Sequence, residues 1–213
     1  MVKSYAIRIG RFFFRTRNIT FPLLIVAAFS VAVPPGEIFG SARLENLKDF
    51  LAIGVALAGL AVRASVIGFS YIKRGGLNKQ VYANALVTSG IFGLCRNPLY
   101  LANMAIYSAI FLMHGDPRVM ALGILLFFGI YQSIILAEEA YLSEKFGDAY
   151  ADYCRRTPRW LPWISGIGQR FSAATQGMNF NYRLALVKDY STMASTAWAL
   201  IFAESYEQIA AGA

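Results

Sequence analysis

The chain has 213 residues, 57% of them hydrophobic and 15% charged, with a mean hydropathy of +0.47 and a formal net charge of +8. That balance is too apolar for an ordinary soluble domain of this size. With no alternating barrel-type segments, it predicts an all-α fold: a polytopic integral membrane helical bundle of about four to five transmembrane helices, with cytoplasmic amphipathic helices. The basic excess does not point to nucleic acid, because Lys3, Arg8, Arg11, Arg15 and Arg17 precede the first apolar run, and Lys73, Arg74, Lys79 and Arg96 lie between the second run and the third, with no acid in either set. Glu37, Arg43, Glu45, Lys48 and Asp49, between runs one and two, are net acidic. The charge alternates with the spans as the positive-inside rule requires, which makes the lipid bilayer the expected partner.

Residues 1–18 read as a basic N-terminal interfacial segment, with Phe12 to Phe14 flanked by arginines, leading into a span from Ile19 to Val33. Ser30-Val31-Ala32 resembles a small-x-small cleavage site, but the span is the preferred reading over a signal peptide. The second span is expected from about Phe50 to Tyr71, with Gly54 and Ala58 as a small-xxx-small contact for another helix. Arg63 within it is an anomaly, read either as a snorkelling side chain or as part of a polar site. Residues 73–93 then form a connection, with Gly75-Gly76 as a break and Gly90 and Gly93 as hinges.

Span three, Pro98 to Met113, opens with proline in its first turn, where a missing N–H costs nothing. The HGDP turn makes it an antiparallel hairpin with span four, Pro117 to Ala137, which ends on Glu138-Glu139. Beyond that, Leu142, Phe146, Tyr150 and Tyr153 recur at helical spacing and predict an amphipathic surface helix, bent or interrupted near Gly147 and stopped by Pro158 and Pro162. The stretch from Asn179 to Glu207 is open between a fifth span, an interfacial helix and an oligomer contact. The parts are thus 1–18, a core of 19–165, and an extension of 166–213 with a further helix.

With His114 as the only histidine and Cys95 and Cys154 the only cysteines, no metal site is expected. Cys95 beside Arg96 is either a reactive thiol or a small packing residue. The topology gathers Arg63, the segment Leu86 to Tyr100, Glu138-Glu139 and the aromatic surface helix on one side. A polar cluster over an apolar interior is the arrangement needed to join a polar cofactor to a lipid-borne substrate.

LVTSGIFGLCRNPLY, followed by EEAYLSEKFGDAYADYCRRTPRWLP, resembles the isoprenylcysteine carboxyl methyltransferase family of membrane enzymes and, more distantly, the phospholipid methyltransferases. The pattern is carried by Leu86, Val87, Gly90, Phe92, Arg96, Pro98, Tyr100, Glu138, Glu139, Leu142, Phe146, Gly147, Tyr150, Tyr153, Pro158 and Pro162, over about residues 50–165. Asn97 departs from it, standing where the family usually has histidine, and an amide cannot carry a proton at pH 7.

The resemblance implies S-adenosyl-L-methionine in a cytoplasm-facing pocket and a lipophilic acceptor entering from the bilayer. It makes the core a membrane methyltransferase, located in the inner membrane if the source is bacterial. Arg96, Glu139 and Arg63 are the candidate catalytic residues. Leu86, Val87, Gly90, Arg96, Asn97, Pro98, Tyr100, Leu101, Glu138, Glu139 and Tyr150 are the candidate cofactor-binding residues. A carboxylate beside a sulfonium stabilises the ground state more than the transition state. The glutamates are therefore better assigned to the cofactor's amino group or ribose, or to holding an arginine, unless the acceptor is an amine or thiol whose proton one of them takes. Carboxylate, phosphate, amine and thiol acceptors all stay open, as does the oligomeric state. Two other readings are a membrane reductase of the sterol-reductase type and a non-catalytic membrane module.

Overall fold

The computed structural model describes residues 2–69 and 81–211. The expectations placed on Tyr71, Lys73, Arg74, Gly75-Gly76 and Lys79 lie outside the described residues. Every regular element among the described residues is helical: α1 (Val2–Phe29), α2 (Ala42–Phe69), α3 (Pro98–His114), α4 (Pro117–Arg156), α5 (Ile167–Thr175) and α6 (Tyr182–Ala211), with short 3-10 turns at Ile38–Gly40 and Gly90–Gly93. Helices α1, α2 and α4 are long and apolar enough to cross a membrane, and α3 is a shorter apolar helix of 17 residues, about 25 Å long. The chain is a helical membrane protein.

The basic segment and the first apolar run form one helix, α1, which continues through Pro22. α4 likewise joins two stretches read separately from the sequence. It runs for 40 residues, about 60 Å, or roughly twice the hydrocarbon thickness. EEAYLSEK, where a boundary was expected, consists mostly of helix formers. The first residue able to leave helical geometry is Gly147, where φ is +48° and ψ −122°, a region essentially closed to other residues. The bend falls there.

The described chain divides into two compact units. One comprises residues 1–17, 62–101 and 129–188; the other comprises 18–61, 102–128 and 189–213. In the second unit, Ala52, Ala56 and Gly59 on α2 are buried, and α3 comes up against Gly59. A Cβ on Gly59 would lie 2.8 Å from the Ala102 carbonyl oxygen. The expected contact at Gly54 and Ala58 is therefore on the wrong face: both are exposed, and nothing lies within 4 Å of a Cβ at Gly54. Two residues along a helix turn by about 200°, which separates the two sets.

The same unit packs Phe29 against Phe111, His114, Phe202 and Tyr206. It also buries Lys48, whose Nζ lies 2.9 Å from Glu207, 3.0 Å from Asp49 and 2.9 Å from the Met113 carbonyl oxygen, and also pairs with Glu45. The α3–α4 turn is as short as expected: Gly115 takes a φ of +78°. Asp116 then caps α4, accepting from the backbone N–H groups of Arg118 and Val119 at 2.8 and 3.2 Å.

In the first unit, the C-terminal extension is tied to the end of α2. The Asn181 N–H donates to the Gly68 carbonyl at 3.0 Å, and the Phe180 ring lies where a Cβ on Gly68 would stand, 2.2 Å away. Only glycine lets that ring approach.

Candidate active site

The motif residues converge within the first unit. After a positive φ of +61° at Gly90, the chain makes the 3-10 turn Gly90–Gly93, which buries Ile91 and Phe92 against Val66; Val87, Leu94 and Leu99 pack around that cluster. The turn is held from α4, where the buried Tyr153 hydroxyl donates to the Phe92 carbonyl at 2.7 Å. Asn97 then opens α3, its carbonyl accepting from the Leu101 N–H at 3.0 Å, with Pro98 in the first turn.

Arg96 and Asn97 clamp the segment that follows α4. The Arg96 N–H donates to the Pro158 carbonyl at 2.9 Å, and the Asn97 side-chain amide donates to the Arg159 carbonyl at 2.9 Å. That clamp aims the Arg159 side chain back at α4, where it makes a two-pronged pair with Glu139: Nε to Oε1 at 3.0 Å and Nη2 to Oε2 at 2.7 Å. Arg96 approaches the same carboxylate at 3.4 Å, and its Nη1 donates to the Cys154 sulfur at 2.6 Å. At the adjacent residue of α4, the Tyr100 hydroxyl donates to Glu138 Oε1 at 2.6 Å, and the Tyr100 ring lies 5.3 Å from that of Tyr131.

Burial works against charge on Arg96, yet the neighbouring Cys154 and Glu139 hold its guanidinium above the ordinary arginine value. Its Nε is buried without a hydrogen-bond partner, so one strong donor is left for a ligand. Cys95, which the sequence left between a reactive thiol and a packing residue, is the latter. Burial pushes its thiol up to about 11, overcoming the opposing pull of the Asn97 backbone and Arg96.

Of the residues expected at the site, Arg96, Asn97, Tyr100, Glu138 and Glu139 are joined by these bonds. Tyr150 is buried, close enough to Glu139 and Arg96 to feel their charges. Pro98 is buried, Gly90 supplies the turn, and Leu86, Val87 and Leu101 are half-buried beside it. Arg63 is 6% exposed on α2 in the same unit, which is not the exposure of a snorkelling head group. Cys154, Tyr153 and Arg159 join the site beyond the residues expected there. The signal available was the spacing of Tyr150, Tyr153 and Cys154, three and four residues apart on one helix face. Lys145 also lies outside the expected set; it donates to the Ala83 carbonyl at 2.6 Å and lies 5.1 Å from the Tyr82 ring, fastening the start of the motif segment to α4.

The donor set has two ends. The buried Arg96 Nε can donate a hydrogen bond to an anion, and the Glu138 carboxylate, which accepts from Tyr100, can accept another from an ammonium or hydroxyl.

Residues 50–149 match the family described as phospholipid methyltransferase. The cobalt-zinc-cadmium resistance protein CzcN of Cupriavidus metallidurans is 32% identical over 117 residues, covering 53% of this chain and 54% of that protein. The nickel-cobalt-cadmium resistance protein NccN of Alcaligenes xylosoxydans xylosoxydans is 35% identical over 80 residues, or 38% of this chain and 37% of that one. The protein-S-isoprenylcysteine O-methyltransferase of Schizosaccharomyces pombe is 30% identical over 115 residues, or 54% and 48%. The chain thus spans about half, or less, of the length of each of these relatives. No solved structure matches it.

Proposed function

We propose, from a chain that is similar over residues 50–149 to the phospholipid methyltransferases and shares motifs with the isoprenylcysteine methyltransferases, that this is an S-adenosyl-L-methionine-dependent membrane methyltransferase acting on a lipophilic acceptor. The observation that carries the reading is the convergence of the two halves of the motif: Arg96 and Tyr100 from one, Glu138 and Glu139 from the other, joined within one unit. The site faces the cytoplasm in this reading, supported by the basic residues of α1 and of the 73–96 connection.

The cofactor supplies an activated methyl group on a sulfonium. In this reading the buried Arg96 Nε binds its carboxylate end, and the Glu138 carboxylate, oriented by the Tyr100 hydroxyl, binds its amino group or a ribose hydroxyl. Glu139 is committed to Arg159 and Arg96. Its role is to hold two guanidiniums in place; it is not a proton acceptor. For an acceptor that is already an anion the protein needs no base, and its work is alignment and exclusion of water. Tyr150, Tyr153 and Phe92, all buried, form the dry wall that excludes water. An amine or thiol acceptor would have to give its proton to Glu138.

Isothermal titration of the detergent-solubilised full chain with S-adenosylhomocysteine tests the cofactor. Binding to the wild type is expected, weakened at least about tenfold, or 1.4 kcal/mol, in Arg96→Ala and in Glu139→Ala. A folded wild type that binds none, or affinity unchanged in both variants, would remove the basis for the proposal.

A further inference from the structure

The segment from Pro158 to Asn181 lies beyond the matched residues 50–149, and it is fastened within the first unit at both ends and in between. At its start, the Arg96 N–H and the Asn97 amide bond the carbonyls of Pro158 and Arg159. Further on, α5 packs on the 3-10 turn Gly90–Gly93, and the Phe171 ring lies 5.9 Å from that of Phe69, which itself packs against Val66, Ile91 and Phe92. At its end, Asn181 is bonded to Gly68.

Between the first two fastenings the chain holds large apolar side chains outward. Leu161 and Trp163 are each 63% exposed and Ile164 is 81% exposed. No residue of α5 is buried, and Ile167 and Phe171, four apart on one face of it, are exposed too. A contiguous apolar patch with a polar rim marks a surface that something covers.

The rim has one sign. From Tyr153 to Lys188 the chain carries Arg155, Arg156, Arg159, Arg170, Arg183 and Lys188 but no Asp or Glu. Arg159 is spent on Glu139 and Arg155 on Asp152. Arg156 and Arg170 are exposed and donate to the backbone carbonyls of Asp152 at 3.4 Å and Ser165 at 3.2 Å, bonds that orient a guanidinium without neutralising it. The second bond sets Arg170 directly beside the apolar tip.

These features choose among coverings. A two-fold contact with a second copy would bring the same basic rim against itself, which like charges oppose. The hydrocarbon interior does not suit Ser165, Gln169 and Arg170, which follow the tip at once. The head-group layer suits both parts: a tryptophan ring sits at that boundary, and arginines there meet lipid phosphates. Helices α1, α2 and α4 are long and apolar enough to place the chain in a bilayer.

We infer that Leu161, Trp163 and Ile164, together with α5, form an interfacial docking element that seats in the head-group layer and recognises anionic phospholipid through Arg156 and Arg170. Docking of this kind does not depend on methyl transfer.

The test places the full chain in nanodiscs of phosphatidylcholine, with or without added phosphatidylglycerol, and follows hydrogen–deuterium exchange by mass spectrometry. In wild type, the amides of Leu161 to Arg170 are expected to exchange at least about fivefold more slowly in the anionic discs, the worth of one arginine near such a surface. The double variant Arg156→Gln, Arg170→Gln is expected to lose that difference, and the exposed control Arg8→Gln, Arg11→Gln to keep it. Depth is read from a chain in which Trp163 is the one tryptophan, by Trp160→Phe and Trp198→Phe. Bromines high on the lipid chains should quench it more than bromines near the chain ends; the exchange measurement stands without this variant. Equal exchange in the two discs, a difference that survives the double variant, or stronger quenching from the chain ends would each overturn the inference. Protection that rises with the number of chains per disc would also overturn it, assigning the face to a second copy.

Discussion

Each of the two compact units buries an ionic cluster, and the clusters are built on different principles. In the second unit a lysine, whose side chain is 3% exposed, is enclosed by three carboxylates and a backbone carbonyl. Every donor of that point charge is used, while Glu45 Oε1 and Asp49 Oδ1 have no hydrogen bond beyond their ion pair with it and the Asp49 side chain is 23% exposed. In the first unit the cations are planar guanidiniums and the carboxylates are only partly buried. Arg96 Nε is left without a partner, and Glu138 has its bond from Tyr100 with further accepting capacity. A closed cluster fastens helices. An open one, with a donor and an acceptor to spare, can take a ligand. Charge alone therefore does not locate function in a membrane protein.

The contrast predicts that the clusters break in different ways. The largest effect on stability should come from Lys48→Met, which strands three carboxylates in the second unit. A loss of about 3–5 kcal/mol is expected, read as a fall in the thermal unfolding midpoint in detergent. A variant as stable as wild type would mean that the cluster is not a fastener. Glu139→Gln, in the first unit, should do the reverse. S-adenosylhomocysteine affinity falls at least about tenfold, while the unfolding midpoint moves little, because both arginines are partly exposed and can rehydrate.

Asn97 sharpens the comparison. Its amide serves the Arg159 carbonyl as a donor, and an imidazole N–H can do the same. Asn97→His should retain cofactor affinity, while Asn97→Ala should weaken it by several-fold, roughly the worth of one neutral hydrogen bond.

Asp116 gives a pH-dependent effect. Its bonds from Arg118, assisted by the backbone N–H groups of Arg118 and Val119, hold its carboxyl down to about 2 against an ordinary 3.8. A depressed folded-state value means stability that is present above the unfolded value and is lost as pH falls from about 4 through about 2. Asp116→Ala should cost roughly 1 kcal/mol at pH 7, with the gap to wild type narrowing at pH 2.

The smallest effect is chemical: at pH 8 iodoacetamide should label the half-buried Cys154 and leave the buried Cys95 unmodified. Mass spectrometry of the digested protein reads it directly.

What the sequence conveyed follows from the range of the forces involved. The α3–α4 hairpin was legible because HGDP is too short to permit anything else. Gly147 was legible as a bend because glycine is the residue that tolerates such backbone angles. The buried face of Ala52, Ala56 and Gly59 was not, since an apolar helix offers several small-residue faces and lipid hides none of them by composition. Nor was the clamp of Arg96 and Asn97 on Pro158 and Arg159, which joins backbone groups about sixty residues apart and leaves no periodicity.

The central claim is methyl transfer to a lipid, and the most direct measurement supplies the full chain in detergent with radiolabelled methyl donor and a total lipid extract. The account predicts label in the lipid phase with wild type and at least about a hundredfold less with Arg96→Ala, the loss expected when a charged, positioned contact is removed. Wild type that binds cofactor yet labels no acidic, phosphate or amine lipid would contradict it, as would Arg96→Ala labelling as fast as wild type.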